Sequence, residues 1–236
     1  MSPSTDALRF AVYLCPPAGD PFYQLGSELV GHDVRARRAL PLPDFLRPEW
    51  QRDAQPYGFH LTLVEGFYTD PAQLPAIEAE TRGCCACLSP AADLRLTGGR
   101  LEVWRGQVIV WRLNASPDLR VLQTLLSARL APFVTHSPFD DEVREHPGRY
   151  AEPYQRARLK LLRTPRGLDS WEPHYTLVQP FTGSEAEQGA LTGRLAPQLE
   201  PFTEQAVNAV SLFVKPADEA RWQLRQDIGL DLVVKV

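Results

Sequence analysis

An eight-residue pattern occurs twice in this chain and constrains its fold more than any other feature. It is His-Leu-Thr-Leu-Val-Glu-Gly-Phe from His60 and His-Tyr-Thr-Leu-Val-Gln-Pro-Phe from His174. Because alternate residues of a β-strand share a face, each copy places its His and Thr on one side and apolar side chains on the other. We therefore expect a strand over 59–67 and an equivalent strand at the second copy.

The similarity continues beyond the eight residues. After the first copy, Asp70 precedes Pro71, and an N-cap residue followed by proline predicts a helix to about residue 87. After the second copy, Ser184 and Glu187 have the spacing of a capping box, which predicts another helix. Its core face consists of Leu191, Leu195 and Leu199. A strand, a short turn and a capped helix thus occur twice, which indicates a duplicated unit.

The remaining elements follow from local patterns. Composition and spacing predict strands over 9–14, 93–97, 100–103 and 107–113, with turns at Gly98-Gly99 and Arg105-Gly106. A helix is expected over 22–30, and another begins after Ser116 with the core residues Leu119, Leu122, Leu126 and Leu130. Residues 31–57 are predicted to be a loop. Residues 206–214 and 222–226 are predicted to form a closing hairpin, with a last strand over 232–236.

Residues 134–170 differ from the rest because charged residues and prolines dominate them. We expect one helix near 154–162 and interpret the segment as a connection, or a lid over a cleft. Its basic side chains include Arg144, Arg149, Arg156, Arg158 and Lys160. Most of these are expected to form a solvated, charge-alternating face. This segment is nevertheless where we expect a cation that neutralises a bound phosphate.

The hairpins and the duplication predict an α+β fold rather than parallel βαβ units. We expect one bilobal domain over 1–236, in which each lobe is an antiparallel sheet backed by helices on the outside. The two sheets would face one another across a central cleft. Each copy of the repeated pattern would then supply one wall of that cleft.

Composition limits the function. A net charge of −4 disfavours a broad basic surface for long nucleic acids but is compatible with a small anionic ligand. The sequence contains no run of roughly 20 apolar residues and no secretory signal pattern, so we expect a cytoplasmic monomer without a membrane span. Cys84, Cys85 and Cys87 have no partner cluster at zinc-like spacing and are interpreted as small apolar residues.

Two histidines and two threonines on a common cleft suit the hydrolysis of a cyclic phosphate. One imidazole takes a proton from water and the other protonates the departing sugar oxygen, since the ordinary pKa of about 6.5 makes both forms accessible. Thr62 and Thr176 would donate hydrogen bonds to the phosphate oxygens. The sequence does not determine the division of roles. We assign water activation to His174 and leaving-group protonation to His60, and this chemistry needs no metal or other cofactor.

The pair of His-x-Thr motifs resembles the 2H phosphoesterase superfamily. Ala11-Val-Tyr-x-x-Pro-Pro-Ala-Gly and Tyr57-Gly-Phe-His are similar to a bacterial subgroup linked to phosphonate-utilisation genes. The same opening is similar to small cyclic phosphodiesterases acting on ADP-ribose 1″,2″-cyclic phosphate. The resemblance implies a bilobal fold and metal-free phosphodiester chemistry, commonly on 2′,3′-cyclic phosphates. It implies His60 and His174 as the catalytic pair and Thr62 and Thr176 as phosphate ligands.

Three functions are compatible with these residues. The first is hydrolysis of a small cyclic phosphodiester, either a 2′,3′-cyclic nucleotide or a ribose cyclic phosphate. The second is RNA end-processing or 2′–5′ RNA ligase-like activity, and the third is a non-catalytic module that binds a nucleotide or an RNA end. Aromatic residues near the motifs are candidates for stacking on a base, although core packing is the favoured interpretation of each: Tyr57, Phe59, Phe67, Trp171, Tyr175 and Phe181. His32, His136 and His146 are expected on a solvated surface.

Overall fold

The computed structural model describes residues 8–230, which contain both β-strands and α-helices. The strands are β1 (Leu8–Leu14), β2 (His32–Asp33), β3 (Arg38–Ala39), β4 (Leu61–Thr69), β5 (Arg95–Trp104), β6 (Val108–Ala115), β7 (His174–Val178), β8 (Gln205–Ala206), β9 (Ala209–Lys215) and β10 (Gln223–Gly229). The helices are α1 (Pro21–Val30), α2 (Leu74–Ala86), α3 (Pro117–Leu130), α4 (Pro138–Glu145), α5 (Pro153–Leu162) and α6 (Glu185–Leu199). The predicted α+β class is confirmed.

Eight of these strands form one antiparallel sheet in the order β10-β9-β1-β4-β7-β6-β5-β8. The two strands at its centre, β4 and β7, carry the two copies of the repeated pattern. They are joined at a single register pair, Leu61 with Tyr175, whereas their outer neighbours pair over longer stretches. The sequence predicted two separate sheets. The described residues instead form two four-stranded halves that one narrow β4–β7 contact joins into a continuous sheet.

This central pair relates the two copies to each other. Leu61 and Tyr175 occupy the same position in the repeat, directly after His60 and His174. Because the strands are antiparallel, each histidine lies next to the threonine of the opposite copy. A strand rise of about 3.4 Å and a spacing of about 4.8 Å then separate the two histidine Cα atoms by roughly 8 Å across the centre. The two histidines therefore lie diagonally across the centre of the sheet.

The alternation predicted for both motif strands is present. Leu61, Leu63, Tyr175 and Leu177 are buried in the core, whereas the His and Thr residues between them are partly exposed. Helix α3 packs against β4 and α1 against β7. The predicted core face of α3 is fully buried, at Leu119, Leu122, Leu126 and Leu130. Burial of each leucine contributes about 1.5–3 kcal/mol, so the core that supports the cleft depends strongly on this helix.

Side-chain caps begin the helices where the sequence predicted them. The Ser116 hydroxyl accepts a hydrogen bond from the Leu119 amide at the start of α3, and Ser184 and Glu187 form the capping box of α6. Asp70 accepts from the Ala72 amide, but it begins a short 3-10 turn (Pro71–Gln73) that leads into α2. The caps therefore satisfy the free amides at these helix starts.

One predicted detail of the sheet is wrong, and another is confirmed. Gly98 and Gly99 were expected to form a turn between two strands, but they lie inside β5 at a shift of register. Gly98 has φ +63, a conformation that glycine adopts without strain. Strands β9 and β10 form the predicted closing hairpin. The strand expected over 232–236 lies outside the described residues.

The two long connections contain more structure than the sequence indicated. Residues 31–57 are mostly loop, as expected, but include the β2–β3 pair and two short 3-10 turns. Residues 134–170 contain two helices rather than one. The missed helix, α4, has a capping box formed by Ser137 and Asp140 around Pro138. The Ser-Pro-x-Asp pattern was therefore a local signal for α4 that the charge content of the segment obscured.

Candidate active site

Two adjoining cavities, of about 430 and 680 Å³, open along the face of the sheet that carries the repeated His and Thr residues. His60 lines the smaller cavity and His174 the larger one. Five residues line both cavities and mark their junction: Thr62, Glu65, Arg166, Thr176 and Gln179. The structure thus brings all four predicted site residues to one continuous cleft, with both threonines at its centre.

The two histidines are held in the same way. His60 Nδ1 donates a hydrogen bond to the carbonyl oxygen of Gly58 at 2.9 Å, and His174 Nδ1 donates to that of Glu172 at 2.7 Å. In both copies the acceptor is two residues before the histidine. Gly58 has φ +71, so the chain turns immediately before the motif in a conformation that favours glycine. The duplication therefore extends to the orientation of the imidazole rings.

These hydrogen bonds determine which ring nitrogen exchanges protons. A carbonyl oxygen only accepts, so Nδ1 must carry the hydrogen in both rings. The neutral form of each ring then has its lone pair on Nε2, and the protonated form has a hydrogen there. Neither Nε2 has a hydrogen-bond partner within residues 8–230. Each imidazole is thus poised as a base when neutral and as an acid when protonated.

Aromatic rings fix both imidazoles. Tyr13 stacks on His60 with ring centroids 3.9 Å apart. Trp104 and His174 pack in a T-shaped arrangement with ring centroids 4.4 Å apart. Neither Tyr13 nor Trp104 was among the site residues predicted from the sequence. Tyr13 lies on β1, which pairs with β4, and Trp104 lies at the end of β5, two strands from β7. Folding alone brings them to the histidines, so local patterns carried no signal for them.

Burial lowers the pKa of both histidines. The pKa of His60 falls to about 4, mainly through loss of water, with a further lowering by the charge of His174 and an opposing effect of the Gly58 hydrogen bond. The pKa of His174 is also lowered by burial, opposed by its hydrogen bond to Glu172, while the nearby charge of Arg166 lowers it further. Both rings are consequently neutral at pH 7 in the free protein.

The two threonine hydroxyls are available to a ligand. Neither Thr62 Oγ1 nor Thr176 Oγ1 makes a hydrogen bond to another residue of the described part of the chain. The backbone at Thr62 is fixed, because Trp171 donates its indole N–H to the Thr62 carbonyl oxygen at 2.9 Å. Each hydroxyl can therefore donate to an anion in the cleft without giving up a partner in the fold.

Charged side chains surround the junction of the cavities. Arg166 lies with its guanidinium nitrogen 3.7 Å from a Glu65 carboxylate oxygen, and Glu142 from α4 lines the smaller cavity. Burial raises the pKa of Glu65, as does Glu142, whereas Arg166 lowers it. Arg166 belongs to the segment predicted to supply a cation, but it is not one of the basic residues that the sequence singled out there. Its signal was weak, a lone Arg between Pro165 and a glycine.

The other candidates from the sequence divide into two groups. Tyr57, Phe67 and Trp171 line the cleft, although Phe67 and Trp171 are also buried in the core. The remaining motif-adjacent aromatics are buried in the core and line neither cavity: Phe59, Tyr175 and Phe181. Three histidines also line neither cavity: His32 and His136, which are buried rather than solvated, and His146, which is exposed.

The cysteine cluster lies away from the two cavities. Cys84 and Cys85 are buried, as expected of small apolar residues, whereas Cys87 is exposed, and all three lie outside the cavity walls. Among residues 8–230, no group of three or more His, Cys, Asp or Glu side chains is arranged to hold a metal ion. In the same part of the chain, none of the helices has the length and apolar character needed to cross a bilayer.

Comparisons with known proteins give limited similarities. No protein-family model matches the chain. It is 26% identical over 234 residues to ribose 1,5-bisphosphate phosphokinase PhnN of Laribacter hongkongensis, an alignment that covers 92% of this chain and 50% of that protein. The chain thus spans about half the length of the curated relative that it matches.

Solved structures show weak overall similarity. A phosphoesterase structure aligns with a TM-score of 0.46 and 13% identity, covering 95% of this chain and 99% of its own. Usb1 of Kluyveromyces marxianus aligns with a TM-score of 0.41 and 12% identity, covering 97% and 100%. The same protein with uridine monophosphate has a TM-score of 0.42 and 12% identity, covering 96% and 100%. Because these TM-scores lie below 0.5, we base the function on the cleft itself.

Proposed function

We propose that this chain hydrolyses a small cyclic phosphodiester, with His60 and His174 as the acid–base pair and Thr62 and Thr176 as phosphate ligands. One observation carries the proposal: two imidazoles in the same tautomer, each with a free Nε2, line one cleft around two unpartnered threonine hydroxyls. A purely structural repeat would not require free hydrogen-bonding atoms at all four positions.

The reaction follows from these groups. A neutral imidazole takes a proton from water, and the water oxygen bonds to phosphorus as the bond from phosphorus to one ring oxygen breaks. The protonated imidazole on the opposite side gives its Nε2 proton to the departing sugar oxygen. The Thr62 and Thr176 hydroxyls donate to the non-bridging oxygens as negative charge builds on them. The product is a phosphomonoester with a free hydroxyl.

The pKa values favour a division of roles opposite to the one assigned from the sequence. With a pKa of about 4, His60 is almost entirely neutral at pH 7 and is suited to be the base. Burial lowers the pKa of His174 too, but the hydrogen bond to the Glu172 carbonyl oxygen and the charge of the Glu172 carboxylate oppose that lowering, to which the charge of Arg166 adds. A bound phosphate raises the pKa of a neighbouring imidazole further. His174 is therefore the better acid, and His60 activates the water.

The substrate class is a ribose-based cyclic phosphate. The two cavities, of about 430 and 680 Å³, lie within the range of small-molecule sites, so a nucleoside or a substituted ribose can extend from the junction. The curated relative is named for action on a ribose bisphosphate, which makes ribose cyclic phosphates as relevant as 2′,3′-cyclic nucleotides. The sequence contains no Gly-x-x-x-x-Gly-Lys-Ser/Thr loop, so we do not propose kinase chemistry.

The test is turnover of both substrate types by the purified chain in the presence of EDTA. His60→Ala and His174→Ala should each lower kcat by about 10²–10⁴-fold, the usual contribution of a general acid or base. His146→Ala, at an exposed position outside the cleft, is the matched control and should retain activity. Loss of wild-type activity in EDTA would contradict the metal-free mechanism.

The same experiment separates the alternatives. Shortening of an RNA 3′ end in place of small-substrate turnover would favour RNA end-processing, and joining of RNA ends would favour ligase-like activity. Binding of nucleotides without turnover by the wild type would favour a non-catalytic module. Full activity of either histidine variant would contradict the proposed pair.

A further inference from the structure

We propose that Arg166 is the phosphate-binding cation of this cleft and that it exchanges its ion pair with Glu65 for a phosphate oxygen when substrate binds. This inference rests on the proposed function, since it concerns the same cleft. It adds a ligand that the repeated motif does not contain.

Arg166 lies where the phosphate is expected. It lines both cavities, together with Thr62 and Thr176, and therefore reaches their junction. Arg166 and His174 both line the larger cavity, and the positive charge of Arg166 lowers the pKa of His174. A cation at this point can neutralise the phosphate while both histidines remain free for proton transfer.

The backbone of Arg166 is anchored, whereas its charged end is accessible. The Thr164 side chain accepts a hydrogen bond from the Arg166 amide and donates one to the Arg166 carbonyl oxygen, both at 3.1 Å. The Arg166 side chain passes over the ring of Phe139, 5.5 Å from its centroid, and remains 58% exposed. The chain thus holds the position of Arg166 and leaves more than half of its side chain exposed, next to Glu65 and the Tyr150 hydroxyl.

The other arginines around the cleft are less suited. Arg9 lies between the rings of Tyr68 and Trp222 and donates to the Gly66 carbonyl oxygen at 2.8 Å. Arg105 lines only the larger cavity. Arg166 is the one arginine of the described residues that lines both cavities.

The pair with Glu65 is suited to exchange. Its closest N–O distance of 3.7 Å exceeds that of a normal hydrogen bond, so the two groups attract without a tight contact. Burial raises the pKa of Glu65, and Glu142 raises it further against the lowering by Arg166, so the charged form of Glu65 is disfavoured. A phosphate accepts two charged hydrogen bonds from a guanidinium in parallel, a stronger arrangement than this long contact. Phosphate should therefore displace Glu65.

The exchange also affects catalysis. The charge of Arg166 lowers the pKa of His174 even though Glu65 lies near the guanidinium. A bound phosphate adds negative charge beside His174, so its protonation becomes easier, and His174 is the imidazole proposed to act as the acid. Substrate binding would thus promote the protonation of His174 that catalysis requires.

The test is direct binding of inorganic phosphate at neutral pH, measured by titration calorimetry, which does not depend on turnover. Arg166→Gln should weaken binding by about tenfold or more, the effect of losing a charged hydrogen bond. Arg156→Gln, at an exposed position of α5 in the same segment, is the matched control and should bind as the wild type does.

Glu65→Gln provides the sharper test, because it should improve binding. Removing the competing carboxylate should tighten phosphate binding about two- to fivefold, and Arg166→Gln should abolish this gain in the double variant. Wild-type affinity in Arg166→Gln, or an equal gain from Glu65→Gln in both backgrounds, would overturn the inference. Absence of phosphate binding by the wild type would also overturn it.

Failure of the proposed function gives a different result. If phosphate binding depends on Arg166 but no cyclic phosphate is turned over, the proposed hydrolytic function is wrong and the assignment of Arg166 as the phosphate-binding cation is supported. If cyclic phosphates are hydrolysed and Arg166→Gln leaves KM unchanged, the proposed hydrolytic function is supported and the assignment of Arg166 as the phosphate-binding cation is wrong.

Discussion

Acid should destabilise this protein through His60, because the fold buries its imidazole in the neutral form. In the unfolded chain the pKa of histidine is about 6.5, whereas in the folded protein the pKa of His60 is about 4. Between these values the unfolded chain binds more protons than the folded chain. The free energy of unfolding therefore falls as the pH decreases through this window, and it is unaffected by His60 above it.

The size of the effect follows from the shift. The difference between the pKa of His60 in the unfolded chain and in the folded protein corresponds to a loss of about 3 kcal/mol in the free energy of unfolding when the whole window has been crossed. At about pH 4.5 most of the window has been crossed, and partial solvent access to the ring reduces the effect, so we expect a loss of about 2 kcal/mol relative to pH 7. This loss adds to whatever the remaining groups contribute.

Urea unfolding of the wild type and His60→Gln at the two pH values isolates this contribution. The glutamine amide can still donate to the Gly58 carbonyl oxygen but does not titrate. On going from about pH 7 to about pH 4.5, the variant should lose about 2 kcal/mol less than the wild type, with equal urea m-values. Equal losses in the two proteins would refute the reasoning, because they would show that folding does not disfavour the charged form of His60.

Three further results are expected. Because burial lowers the pKa of both catalytic candidates, kcat/KM for a cyclic phosphate should be highest below about pH 6.5, and a maximum near pH 8 in the pH profile would contradict this. Gly58→Ala should lower the free energy of unfolding in urea by about 1–3 kcal/mol and reduce kcat, because φ is +71 and the added Cβ would lie 2.7 Å from a valine side chain. The control Gly106→Ala has φ +69 and open space around the added Cβ, and it should preserve kcat. Thr62→Val and Thr176→Val should each lower kcat about 10–100-fold without lowering the melting temperature, and an unchanged kcat would exclude that hydroxyl as a phosphate ligand.

Local patterns in the sequence predicted most of the framework. The alternation around His60 and His174 gave the correct buried and open faces, and the Ser116 and Ser184 caps began helices at the expected residues. These features depend on residues within a few positions of one another, so the sequence records them directly. The Gly98-Gly99 bulge was misread because a glycine pair is typical of both turns and bulges.

Contacts between distant parts of the chain had no such signal. Tyr13 and Trp104 come close to the two histidines only in the folded sheet, and Arg166 reaches the cleft from a connection of low periodicity. The charge environment of Glu65 likewise arises from Arg166 and Glu142. The pKa shifts of the side chains that line the cleft therefore could not be predicted from the sequence.

The sequence by itself determined that this chain has two equivalent His-x-Thr strands with their polar residues on one face. It did so because strand periodicity and helix capping are local properties of the chain. Only the tertiary structure decided that both strands meet at the centre of one sheet, through Leu61 and Tyr175, and that a single cleft holds all four side chains. Strand pairing joins residues more than a hundred positions apart in sequence. The distance between them in space depends on the packing of the whole core.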